Sequence, residues 1–419
     1  MQTFRTTTRR ALVVAVLALG GLLMLGGGSA AGDGLLKPPQ PCGGTRRGDI
    51  GEMQMERLPW NVHVLRADLS RDRPVAIAGF YVFDRHLIVV AQSGMVWCLD
   101  RFNLEPRWAN MLSAPLFQPP AEGATHFTFL CKDYRGQYWL HAISKRSGEE
   151  GPDFPRRLGF AASSGVAANA SMAFMGSLGA AHHNKTFESV NLVDGRGGWG
   201  YLAPGMVFAA PQMDAAGKNV VFTTDNGHVI SLPAGALPPR GPNWDKTAGN
   251  NMKYGPGLSP EQVVVASRDG VVTCLDLDNG DMQWIGSVGD EPTAAPWIMG
   301  GVTTVETDTG IEGADPIRTT KYVGMAIVRN VRGLHAFDLA SGEGIFKDLN
   351  AVRPLARAGD WLLTLDAQNN VTFRNAKKGY AAAEERLELG MFDLIPTNRV
   401  DGALYAATSD GSIVAAIPK

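Results

Sequence analysis

The stretch Val263-Val-Val-Ala-Ser-Arg-Asp-Gly-Val-Val-Thr-Cys-Leu-Asp-Leu-Asp-Asn-Gly-Asp-Met-Gln-Trp284 decides the fold. It reads as a short apolar strand, a tight Asp269-Gly270 hairpin turn, a second strand, and an Asn279-Gly280 turn leading into a third. The same phrase begins at Leu87 and ends at Trp108, recurs from Arg332 to Phe346, and survives in degenerate form from Ser189 to Trp199. Aligned on the small residue that opens the eleven-residue core of the phrase, copies fall at Cys98, Ala142, Ser189, Ser231, Cys274, Ala336, Phe373 and Ala415. The intervals are 44, 47, 42, 43, 62, 37 and 42 residues. The long interval contains a polar stretch from Glu306 to Pro316 that reads as an inserted loop.

A repeat of about 40–45 residues, built from three or four short strands, is the signature of a β-propeller blade. The strands read as nearly continuous apolar runs because each small sheet buries both faces against its neighbours. The last copy, Tyr405 to Lys419, stops after its third strand, so the ring needs an outer strand from elsewhere. The alternating segment Trp60 to Leu65 precedes the first copy and is suited to supply it, which would remove an exposed edge. The expected fold is all-β: a single eight-bladed propeller of four-stranded antiparallel blades, closed by an N-terminal strand, with seven blades as the alternative count.

Composition agrees with a large folded domain. Of 419 residues, 45% are hydrophobic and 19% charged, which excludes a disordered chain, and four Cys exclude a disulfide scaffold. The 50 Gly point to many tight turns. With 39 basic against 41 acidic side chains, there is no basic excess to neutralise nucleic-acid phosphates.

The N-terminus reads as an address. Arg5, Arg9 and Arg10 precede an apolar stretch from Ala11 to Gly28, followed by Ser29-Ala-Ala-Gly32. This is the pattern of a secretory signal peptide over residues 1–31, cleaved after Ala31. The alternative is an uncleaved membrane anchor through residues 11–28, for which five Gly are poor helix formers. Thr8-Arg-Arg-Ala-Leu12 resembles the bacterial twin-arginine signal. No Cys follows the apolar stretch directly, so a lipoprotein anchor is not indicated. Residues 32–56 form a Pro/Gly-rich linker, and residues 57–419 the propeller. The expected location is periplasmic or extracellular.

Cys274-Leu-Asp-Leu-Asp-Asn-Gly-Asp-Met-Gln-Trp284 resembles the tryptophan-docking motif, Ala-x-Asp-x-x-Thr-Gly-x-x-x-Trp, of the pyrroloquinoline-quinone-type propellers. That family includes quinoprotein alcohol dehydrogenases and the non-enzymatic outer-membrane assembly propeller BamB. The resemblance spans roughly residues 60–419. Each motif position has a physical task. The small residue (Cys98, Cys274, Ala336) lets neighbouring sheets approach. The Asp (Asp100, Asp276, Asp338) accepts N–H groups of the following turn. The Gly (Gly195, Gly280, Gly342) supplies positive φ. The aromatic (Trp108, Trp199, Trp284, Phe346) covers the neighbouring blade. Leu104 departs from the Gly, Phe346 from the Trp, and Pro152 stands at the Trp position of the second copy; later copies lack the aromatic.

The resemblance implies, for its enzymatic members, a vicinal disulfide beside the quinone, a Ca²⁺ ion and a catalytic Asp. Here Cys42, Cys98, Cys131 and Cys274 include no adjacent pair, and Cys98 and Cys274 share one packing slot. Cys42 and Cys131 could pair in an oxidising compartment, which the sequence leaves open. His182-His183-Asn184 is the one histidine cluster, and adjacent residues on a strand point to opposite faces, a poor arrangement for one metal. His141 and His335 share a repeat register, which marks them as packing residues. Gly195-Arg-Gly-Gly-Trp-Gly200 lacks the helix and Lys-Ser/Thr ending of a phosphate loop.

These readings lead to an exported, non-catalytic propeller that serves as an interaction scaffold in the cell envelope, with no catalytic, cofactor or metal residues and with envelope proteins as partners. The alternative is a quinoprotein-type oxidoreductase holding pyrroloquinoline quinone and Ca²⁺, or another small-ligand or polysaccharide binder using the central funnel. Contact with a membrane would come only through an uncleaved N-terminal segment or a partner. The candidate interaction loop runs from Leu237 to Lys246, where Arg240, Trp244 and Lys246 combine an aromatic with cations. The Glu306–Pro316 insertion and the region around Ala180–Lys185 are further docking candidates.

Overall fold

The computed structural model describes residues 55–69, 75–179, 186–307 and 317–419. The proposed signal segment, most of the linker, Cys42, the His182–His183 pair and the tip of the Glu306–Pro316 insertion lie outside them. Among the described residues no helix is long and apolar enough to cross a membrane.

The strands form eight antiparallel sheets arranged as the blades of one propeller, seven of them four-stranded. Blade 5 is the sheet that contains the quoted stretch: Gly257–Leu258, Gln262–Ala266, Val271–Asp276 and Met282–Ser287, paired in that order from the axis outward. All eight aligned small residues fall in the third strand of their blades, from Cys98 in Met95–Asp100 to Ala415 in Ser412–Pro418. The first strands of successive blades approach one another around the axis.

The apolar runs follow from double-sided burial. In blade 5, Val264, Ala266, Val272 and Cys274 enter the core shared with blade 6. Val263, Val265 and Leu275 enter the core shared with blade 4. Successive side chains on one strand therefore serve two different cores, and a polar residue is admitted only where it is satisfied, as Thr273 is by donating to Ala248 O at 3.0 Å. Each joint between blades has such a core.

Blade 8 closes the ring. Val62–Asp68 pairs antiparallel with Ser412–Pro418, in register from Val62↔Pro418 to Asp68↔Ser412. This sheet has three strands, and a bridge from Leu394 to Ala407 marks the position of its inner strand. The closing strand begins two residues later and ends three residues later than the segment read from the sequence.

Candidate functional site

The aromatic residues of the repeat sit at the joints between blades. Trp108 Nε1 donates to Lys145 O of blade 2 at 3.1 Å, and Trp199 Nε1 to Gly235 O of blade 4 at 2.8 Å. Trp284 Nε1 donates to Leu339 O of blade 6 at 2.9 Å. Trp284 stands opposite Cys274 in the ladder, as Trp108 does Cys98 and Phe346 does Ala336. The Asp residues bind the next turn: Asp276 Oδ1 accepts from Asp278 and Asn279 N–H, Asp338 Oδ1 from Ala340 and Ser341, and Asp100 Oδ1 from Phe102. Gly195, Gly280 and Gly342 all have positive φ.

Of the joints that lack the docking tryptophan, two carry an ion pair with a buried arginine instead. At the joint of blades 6 and 7, Phe346 packs against Tyr380 while Asp348 accepts from Arg374 Nη2 at 2.5 Å. At the joint of blades 8 and 1, Arg101 Nη1 donates to Asp401 at 2.6 Å, and Tyr405 OH donates to Arg101 O at 3.2 Å. No indole arrives there from blade 8, so the glycine position is free to hold Leu104, whose side chain fills the core at φ 57°.

The candidate loop needs a correction. Arg240 is exposed and Leu237 is 82% exposed, but Trp244 is only 6% exposed. Trp244 pairs with Ser231 in the ladder and its Nε1 donates to Leu277 O of blade 5 at 2.9 Å. It is the docking aromatic of blade 4, and a buried indole already spent on its neighbour offers no face to a partner. The signal was present in the sequence but displaced: the loop puts Trp244 thirteen residues after Ser231, where Trp284 follows Cys274 by ten. Lys246 Nζ reaches Asp281 of blade 5 at 3.1 Å.

Cys98, Cys131 and Cys274 carry free thiols in blade cores, and burial pushes each up to about 12. Cys131 is thus an unpaired core residue. His335 Nε2 meets Asn330 Nδ2 at 3.1 Å. Ser113 Oγ, His141 Nε2 and Glu150 form a nucleophile–base–orienter sequence, with Ser113 Oγ 2.9 Å from Nε2 and Nδ1 against Glu150. The Ser113 backbone N–H also donates to Nε2, at 3.2 Å. That N–H is then spent on the imidazole rather than directed at an oxyanion, and the array ties the blade 1–2 connection to blade 2.

A cavity of about 730 Å³ lies among the inner strands of blades 2 to 4 and the segments leading into blades 4, 5 and 6. Its walls include Phe83, Pro119, Pro120, Phe208, Pro211, Met213 and Tyr254, with Glu122 and Lys253 as the ionisable groups. Glu122 is 2.5 Å from Lys145 Nζ. Among the described residues no group of three His, Cys, Asp or Glu side chains could hold a metal ion. Glu122 is the one carboxylate among the residues lining this cavity.

Connections between first and second strands, and between third and fourth, emerge on one face of the ring. Phe102, Val193, Leu237 and Val400 are exposed there. On the same face blade 6 extends outward. Its first two strands, Trp297–Thr307 and Ile317–Asn330, pair over eleven positions, whereas the first strands of blades 1 to 5 and 7 have two to eight residues. The third strand joins the ladder only at Met325–Asn330. Gly324 O still accepts from Leu339 N–H at 3.1 Å, so residues 317–323 pair with the inner strand alone, and there the two form a ribbon with no further strand beside it among the described residues.

No family model matches the chain, and no curated protein matches it. The fold is similar to the crystal structure of BamB from Moraxella catarrhalis, with a TM-score of 0.60 and 15% identity over 86% of this chain and 98% of that one. It is also similar to the computationally designed Ika8 protein, with a TM-score of 0.51 and 12% identity over 82% of this chain and 97% of that one.

Proposed function

We propose that this propeller is an exported, non-catalytic scaffold that binds protein partners in the cell envelope. The observation that carries the reading is the blade 6 ribbon. A two-stranded ribbon with open edges, beside exposed Val323 and Val400, is a surface that folded proteins ordinarily cover. The N-terminal address supports export, and the likeness to BamB supports a propeller that works through binding. Envelope partners should therefore be captured by a photo-crosslinking residue placed at Val323 or Val400 in cells. Discrete crosslinked products at those sites, absent for a residue at Arg135 on the opposite face, are expected. Crosslinks absent at both sites would overturn the reading.

A second reading is favoured by the axial cavity, where Thr293 Oγ1 is buried without a hydrogen-bond partner and Tyr254 supplies an aromatic wall. Such a cavity has the size and apolar character of a small-molecule site. Titrating the chain from Gly32 onward with pyrroloquinoline quinone and Ca²⁺ tests it through tryptophan fluorescence and melting temperature. Saturable quenching at micromolar ligand with a raised melting point would favour a quinone binder, and no response at either readout would remove it.

A further inference from the structure

At the base of the blade 6 ribbon lies a pocket of about 340 Å³, walled by Met299–Gly301, Arg357 and Asn398–Asp401 and rimmed by Val323. Its cations meet no carboxylate among the described residues. Arg357 Nη1 donates to Met299 O at 3.3 Å and its Nε to Gly359 O at 3.4 Å. Arg399 lines the same pocket, is exposed, and has no hydrogen bond or ion pair among the described residues. Asp401, two residues on, is committed elsewhere, to Arg101 and to Asn398 Nδ2 at 2.7 Å. Two guanidiniums in one pocket, neither paired with a carboxylate among the described residues, are free to make charge-assisted hydrogen bonds to an incoming carboxylate.

The rim narrows the kind of anion. Val323 and Val400 are 44% and 45% exposed, and a side chain added at Gly301 would meet nothing within 4 Å. Free phosphate could use the two guanidiniums but has nothing to lay on the valines or along the open strand edge. A peptide with acidic and apolar side chains can use all three. We propose that this pocket binds an extended acidic segment of a protein partner, its carboxylates on Arg357 and Arg399 and its apolar residues on Val323 and Val400. The proposal rests on the scaffold reading and names the chemistry of its partner.

The test uses the full mature chain and a fluorescein-labelled nonapeptide in which Val and Thr alternate around a central Glu-Val-Glu, followed by anisotropy. A matched peptide carries Gln for both Glu. Arg399→Gln removes no hydrogen bond or ion pair among the described residues, and Arg240→Gln removes an exposed cation from blade 4 as a control. Saturable binding of the acidic peptide is expected, weakened about tenfold or more by Arg399→Gln and by the Gln peptide and unchanged by Arg240→Gln. Absence of binding, equal affinity for the Gln peptide, equal loss in Arg240→Gln, or full retention in Arg399→Gln would overturn it. Displacement of the peptide by low millimolar inorganic phosphate would instead mark a small-anion site, against the proposal. Cellular crosslinking at Val323 is a separate result: crosslinks with no acidic-peptide binding would leave the scaffold standing and remove this partner chemistry.

Discussion

The indole of Trp244 in blade 4 lies directly over Gly280 in blade 5: a β-carbon built on Gly280 would come within 2.7 Å of the ring. The same glycine has φ +73°, and the indole N–H reaches the carbonyl of Leu277 in the same turn. One blade's aromatic and the next blade's turn are thus a single packing unit. The same relation joins Trp284 to Gly342, where the approach is also 2.7 Å.

Gly280→Ala should therefore destabilise the protein by about 2–4 kcal/mol, from left-handed strain together with overpacking against the ring. Gly136→Ala is the control, because Gly136 has φ +77° but nothing within 4 Å of an added β-carbon. It should cost only about 1–2 kcal/mol. Urea midpoints for the two variants check this, and equal losses would contradict the docking argument.

The pair Asp348–Arg374 bridges blades 6 and 7, with side chains 7% and 9% exposed. Asp348 also accepts from the Asn350 and Ala351 N–H groups. Arg374→Met alone should cost about 3–5 kcal/mol by leaving a buried carboxylate without its cation, while adding Asp348→Leu should restore much of the loss. A double-mutant cycle measured by urea unfolding would read a large coupling between the two positions. Additive losses would mean that the pair does not act as a unit.

Acid should act in two stages. Burial holds His86, His126 and His335 below the ordinary histidine range, with Lys145 adding to it at His86 and Lys347 at His335. The unfolded chain then takes up protons first, so stability is complete above about pH 6.5 and falls as the pH drops through that value. Asp401 adds a lower stage. Burial raises its pKa, but hydrogen bonds from Arg101, Ala403 N–H and Asn398 outweigh that and depress it. Its contribution is present above about pH 4 and is lost as the pH falls through its depressed value. Urea midpoints between pH 8 and pH 3 would show both steps, and His335→Gln should shrink the upper one. A flat profile from pH 7.5 to 5 would contradict the histidine assignment.

The three core thiols should be inert in the folded protein. At pH 8 a thiol with a pKa of about 12 is ionised to about one part in 10⁴, and Cys98, Cys131 and Cys274 are all inaccessible. In a Cys42→Ser background, Ellman's reagent should detect no thiol in buffer and three in denaturant. Rapid reaction of the folded chain would show that the blades open locally.

The sequence by itself determined the repeat, the position of each third strand and the need for an N-terminal closing strand. These are local properties: a turn dipeptide, a small residue and an apolar run lie within a few tens of residues of one another, and the alternating segment before the first copy is the strand that pairs with Ser412–Pro418. Only the tertiary structure decided what each conspicuous side chain does. Trp244 looked like an exposed anchor because it stood in a long loop with Arg240 and Lys246, yet Leu277 and Gly280 of the next blade claim it. Arg374 and Asp348, 26 residues apart, meet only when two blades pack. Arg357 and Arg399 stand without carboxylates among the described residues because blades 6 to 8 bring them to one pocket while Arg101, about 300 residues away in sequence, takes up Asp401. Periodicity reports how strands are spaced along the chain. Which charges are left uncompensated is set by contacts across the ring, which no local pattern contains.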